Sequence, residues 1–201
     1  MTGFGESIVM TMISKNFENH LTVVEALYKD ADLLDENERA IEMCVAALKS
    51  GKKLLFCGNG GSASDSQHLA TELTIRYVSD RPAIAAIALT TDTSALTAAG
   101  NDIGFERVFS RQIEALGHDG DVLLAFSTSG NSENVVLAVQ EAQRRGMAVI
   151  FFGGGSGGKI LTMADVSLVV PSKVTARIQE CHILIGHILC GAIEDGLGYT
   201  S

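Results

Sequence analysis

The stretch 54–73 constrains this chain more than any other. Leu54, Leu55, Phe56 and Cys57 form an apolar strand that runs into Gly58-Asn59-Gly60-Gly61, and a helix opens at Ser62. Small residues in such a turn let backbone approach a ligand closely. The free N–H groups of the new helix, with its positive dipole end, point at an arriving anion. His68 and Glu72, four residues apart, share one face of that helix a turn below the anion position.

The same order returns further on. Residues 122–126 read as a strand entering Ser127-Thr128-Ser129-Gly130-Asn131-Ser132, with a helix continuing to Arg145. Residues 148–152 make another strand, followed by a third glycine-rich loop, 153–158. Runs 84–89 and 166–170 bring the strands to five. Residues 90–101 read as loop and short helix broken by Gly100-Asn101-Asp102-Ile103-Gly104, and 105–116 as a helix. A last helix from about 177 to 195 carries Gln179, His182 and His187. Strands alternating with helices through short loops predict an α/β fold, a three-layer αβα sandwich around a five-stranded parallel sheet. Ligands in such sheets bind outside the carboxyl ends of the strands, so the two sequence-distant loops can close on one ligand.

Residues 1–50 read as two helices ahead of that 51–201 core, all within a single domain. The first spans 7–28 on apolar residues three to five apart. The second follows Asp35, an N-cap candidate with Glu38 three residues on, and stops at Gly51. Lying outside the βα alternation, the pair is available to pack on another subunit or on its own sheet. With 201 residues, 46% of them apolar, the chain can bury a sizeable core, yet it has no run near ~20 apolar residues. No basic leader opens it, which predicts a cytoplasmic protein without a membrane span. Cys44, Cys57, Cys181 and Cys190 stand singly in apolar segments, as reduced core thiols do. A net charge of −9 and the lack of a Lys/Arg cluster argue against nucleic acid.

Competing motifs fail on particular residues. Gly58-x-Gly60-x-x-Ala63 satisfies a dinucleotide fingerprint, but the acid wanted at the end of the second strand is missing, since Asp80 precedes that strand. Gly153-x-x-x-x-Gly158-Lys159 misses a nucleotide phosphate loop because Ile160 replaces the magnesium-holding hydroxyl, and it reads as a flexible connection. Ser129 or Asn131 can cap the helix after the second loop. Four hydroxyls, Ser127, Thr128, Ser129 and Ser132, are more than a cap requires, and they favour a phosphate cradle of neutral donors. His20 and His118 read as core or surface. His182 and His187, five apart, face different ways, so at most one points at any given site.

The pieces Cys57-Gly58-Asn59-Gly60-Gly61-Ser62, Gln67-His68-Leu69-Ala70-Thr71-Glu72-Leu73, Asn101-Asp102-x-Gly104-Phe105, the 127–132 loop and Arg177-Ile178-Gln179-Glu180 are strongly specific together. Through them the chain closely resembles the phosphoheptose isomerases of the sugar isomerase (SIS) fold, from the second helix to Asp195. The resemblance implies an aldose–ketose isomerase of heptose biosynthesis, converting sedoheptulose 7-phosphate to D-glycero-D-manno-heptose 7-phosphate through an enediol. It implies substrate contacts from Asn59, Gly60, Gly61, Glu72, Asn101, Asp102, Ser127, Thr128, Ser129, Ser132 and Gln179. It also implies zinc on His68, Glu72, Gln179 and His187, acid/base roles for Glu72 and His187, and a homotetramer with active sites between subunits.

Thr71, in place of an acid often found there, and the glycine-richness of 153–158 depart from that pattern. A sister group binds the bacterial replication initiator protein and lacks the catalytic residues at the positions of Glu72 and His187; this sequence retains both. Gln179 and His187 are eight residues apart, about 12 Å along a continuous helix. Sharing one ion therefore requires that they come from different chains, or that Gln179 lies in an irregular turn before the helix.

Overall fold

The computed structural model describes residues 8–199. Two helices come first, α1 (Ile8–Lys29) and α2 (Ala31–Lys49), separated by Asp30 alone. The expected start at Ser7 lies outside the described residues. Asp30, not Asp35, caps α2: its backbone is extended and its carboxylate accepts the Leu33 N–H at 3.1 Å. A cap needs that non-helical backbone, and Asp35 is already inside the helix. The sequence offers two aspartates, and the break after Lys29 decides between them.

The strands β1 (Leu54–Gly58), β2 (Ala86–Ala88), β3 (Val122–Phe126), β4 (Ala148–Gly154) and β5 (Val166–Val170) form one parallel sheet in the order β2-β1-β3-β4-β5. Helices α3 (Gly61–Thr74), α4 (Thr93–Asp102), α5 (Ser110–Leu116), α6 (Glu133–Arg144) and α7 (Thr175–Gly196) accompany it. Alternate strand residues divide between two cores. Leu54, Phe56, Leu124, Phe126, Ile150 and Phe152 pack with α2, α3 and α7. Leu55, Cys57, Leu123, Ala125, Val149 and Phe151 pack with α5 and α6. Both faces are buried, which is why the strands read as unbroken apolar runs, and the fold is the expected three-layer αβα sandwich. All four cysteines are free and buried.

Some boundaries move. Gly153 and Gly154 extend β4 because β5 pairs with them at Val169 and Val170, outweighing glycine's poor strand preference. Asn101 and Asp102 complete α4 instead of breaking it, and the break falls at Gly104. The 105–116 segment splits into a tight turn at Phe105–Arg107 and α5. Among the described residues, no helix is long and apolar enough to cross a membrane. β1 and β3 are neighbours from which the chain winds in opposite directions, so the switch point of the sheet lies between their carboxyl ends.

Candidate active site

Two loops meet at that switch point. After β1 the chain turns into α3 at Gly60, whose φ of +56° suits glycine. Asn59 Nδ2 donates to Asn134 Oδ1 and Asn134 Nδ2 donates to Asn59 Oδ1, both at 2.8 Å. This reciprocal pair straps the first loop to the start of α6, and Asn134 is a site residue that sequence reasoning missed. In the second loop Ser127 Oγ donates to Ser132 Oγ at 3.1 Å, and the Gly130 N–H to the Ser127 carbonyl at 3.0 Å.

Neither Ser129 nor Asn131 caps α6. Ser129 Oγ accepts the Asn131 N–H at 3.2 Å, and Asn131 Oδ1 accepts the Lys159 N–H at 3.1 Å. Ser132 is the N-cap and makes no side-chain cap, and with the Val135 N–H turned onto the Ser132 carbonyl at 3.0 Å, the Glu133 and Asn134 amides are the first-turn donors left for a ligand. A cavity of about 430 Å³ opens beside the loop, lined by Thr128, Ser129, Gly154 to Ser156, Ser172, Lys173 and Thr175. Nor is the third glycine-rich loop a flexible connection. The Gly157 carbonyl packs directly on Gly130, whose φ is +63°, and the Ile160 N–H donates to the Gly130 carbonyl at 3.2 Å.

α3 and α7 lie side by side in the same direction, Gln179 against Gly61 and His187 against His68. His68 Nε2 stands 2.9 Å from His187 Nε2 and 3.2 Å from Glu72 Oε1. Ligand atoms of the three residues all lie within 4.8 Å of one another. Two imidazoles and a carboxylate make a donor set that suits zinc with a coordination position left for substrate. Gln179 is not among them. Its amide packs on Gly61, seven residues or about 10 Å up the α3 axis from His68. Since α7 is continuous through both positions, the irregular turn is excluded.

The remaining expected residues lie elsewhere. Asn101 and Asp102 are exposed at the end of α4, where Asn101 Nδ2 donates to Asp102 Oδ1 at 2.7 Å, and Asp102 lines a separate cavity with Arg111 and Gln112. His182 is core: its Nε2 donates to the Gly153 carbonyl at 2.9 Å, and burial lowers its pKa to about 4 despite that bond, so the ring is neutral. His20 pairs with Glu180 at 2.7 Å, and His118 is exposed.

Further groups support the cluster. Asp65 precedes His68 by one turn; burial pushes its carboxyl up to about 6 while His68 pulls the other way, and its Oδ2 has no hydrogen-bond partner. Its three-then-four spacing with His68 and Glu72 is a signal in the sequence. Arg81 Nε donates to Glu194 Oε1 at 2.8 Å, with side chains 1% and 0% exposed. Glu194 also accepts the N–H groups of Tyr77, Val78 and Ser79 at 3.3, 3.3 and 3.1 Å. The Arg81 guanidinium reaches the Leu73 and Glu72 carbonyls at 2.7 and 2.9 Å, closing the end of α3.

Sheet order and loop placement define an α/β protein with two glycine- and hydroxyl-rich loops meeting at its switch point. The chain belongs to the SIS domain family, whose model matches residues 17–154. It is 48% identical over 186 residues to the phosphoheptose isomerase of Sulfurimonas denitrificans, covering 92% of this chain and 93% of that one. Against that of Paramagnetospirillum magneticum it is 57% identical over 157 residues, 78% and 82% of the two chains. The solved phosphoheptose isomerase of Neisseria gonorrhoeae superposes with a TM-score of 0.87 at 46% identity, covering 93% of this chain and 99% of that one. That of Francisella tularensis gives 0.90 at 39% identity, covering 94% and 100%.

Proposed function

We infer that this chain is a phosphoheptose isomerase, interconverting sedoheptulose 7-phosphate and D-glycero-D-manno-heptose 7-phosphate. The observation that carries the reading is the meeting of Glu72, His68 and His187 below a hydroxyl-rich anion loop, in a chain so similar to named isomerases. Moving a carbonyl between C1 and C2 requires a base that carries a proton across the enediol and a donor at the developing oxyanion. Glu72 is the base and His187 the donor. Ser127, Thr128, Ser129 and Ser132 with the α6 amides hold the phosphate, and Asn59 keeps the two loops in register. His68, Glu72 and His187 would hold zinc, which when bound supplies a Lewis acid for the carbonyl oxygen. Glu72 has two oxygens and can serve metal and proton together; His187 Nε2 serves one at a time.

The deciding assay supplies sedoheptulose 7-phosphate and follows the aldose product. Absence of product, together with a stable complex with the replication initiator, would replace this reading by the adaptor one. Three protein ligands on exposed and half-buried side chains hold zinc less firmly than a closed structural site. Protein purified without chelator is therefore expected to carry zinc below full occupancy by elemental analysis. No zinc, and no response of activity to added zinc, would retire the metal.

We also propose a cytoplasmic homotetramer whose sites combine chains. Met12, Phe17, Leu21 and Tyr28 on α1 and Leu184 and Ile188 on α7 are exposed, an apolar surface suited to another copy. Gln179 and His187 then serve one ion or substrate only across an interface. Mixing inactive Gln179→Ala and His187→Ala chains should restore intact residue pairs at about a quarter of the sites after random exchange. Mixed oligomers that stay dead despite demonstrated exchange would place both residues in one chain's site.

A further inference from the structure

We propose that Tyr77 is a positioning residue for His187, and that the buried Glu194–Arg81 pair holds it in that role. The proposal rests on the isomerase reading, in which His187 must be aimed. His187 Nε2 meets His68, but among the described residues its Nδ1 has no hydrogen-bond partner. A histidine that holds a metal or moves a proton is ordinarily fixed through that second nitrogen by a carboxylate or carbonyl. Here aromatic faces do the fixing. Tyr77 stacks on the His187 ring with centroids 5.6 Å apart and planes 18° from parallel, and His68 meets the same ring edge-on at 5.1 Å and 66°. With one ring on its face and another at its edge, the imidazole loses freedom to turn.

Tyr77 itself follows the end of α3, between the exposed Ile75 and Val78, and needs an anchor. Glu194 provides it. That carboxylate gathers three successive N–H groups, those of Tyr77, Val78 and Ser79, and lies on α7 two turns beyond His187. One helix thus carries both the ring to be aimed and the anchor of the ring that aims it. Arg81, bound to the same carboxylate, grips the Glu72 carbonyl, so the base, its helix end and the stacking ring are held together.

The test compares Tyr77→Phe, Tyr77→Leu and Tyr77→Met in the intact oligomer. Tyr77→Phe keeps the face and should retain kcat and KM within about twofold. The two ring-free variants should lose kcat about 10- to 100-fold, the cost typical of removing an outer support, with KM within about twofold. Leucine or methionine performing as well as phenylalanine would overturn the proposal, as would a loss confined to KM. A second readout is independent of turnover. In histidine-labelled protein the His187 ring resonance should stay single and sharp in Tyr77→Phe and broaden or split in Tyr77→Leu. An unchanged resonance overturns the positioning role whatever the activity, whereas a wild-type chain without isomerase activity defeats the isomerase reading instead.

Discussion

Glu72→Gln should bind heptose phosphate with near wild-type affinity and turn it over at least about 100-fold more slowly, the lower range for loss of a positioned general base. The amide keeps the shape of the carboxylate, so the surrounding contacts change little. Its oxygen still faces His68, whose Nε2 lies 3.2 Å from Glu72 Oε1 in the native chain. What is lost is basicity, and with it the proton's route between C1 and C2. Calorimetric affinity alongside steady-state kinetics separates the two quantities. Turnover at the wild-type rate would remove Glu72 from the mechanism.

Glu194→Ala should lower the free energy of unfolding by about 3–5 kcal/mol, the usual cost of leaving one member of a buried ion pair alone. Here the survivor is Arg81, 1% exposed, and three backbone N–H groups lose their acceptor as well. Replacing both residues by apolar ones of similar size should cost less than the single change, because no charge is then stranded. Denaturant melts of the three proteins measure both effects. The pair also sets an acid limit. Burial by itself raises the Glu194 carboxyl, but the Ser79 amide, Arg81 and the Tyr77 and Val78 amides more than offset it and hold the group below its ordinary range. A carboxyl depressed in the folded state adds stability above its unfolded pKa of about 4.3, and that stability drains away as pH falls toward the folded value. Glu194→Gln should therefore flatten the loss of stability below about pH 4.5. An unaltered acid slope would assign that loss to other carboxylates.

Local signals made much of this legible in the sequence. β3 and β5 match their apolar runs to the residue because turn residues bound both. His68 and Glu72 are paired by helix spacing alone. Several of the misreadings share one cause, a partner distant in the chain. Gly153 and Gly154 become strand because β5 reaches them, and the sequence does not announce that Asn59 is half of an amide pair with Asn134, 75 residues away. Arg81 and Glu194, 113 residues apart, leave no local trace. Gln179 fits the family motif, yet its place beside Gly61 depends on how α7 lies along α3, and no spacing encodes that.

The contact between Gly130 and the Gly157 carbonyl carries a consequence for how such a chain can vary. The third loop works as a mould: it shapes the hydroxyl loop from behind, with the Gly130 carbonyl and the Asn131 side chain pinned by the amides of Ile160 and Lys159. The two loops therefore move as one unit. A change at 157–160 is expected to shift 129–131 as well, although it touches none of the hydroxyls itself.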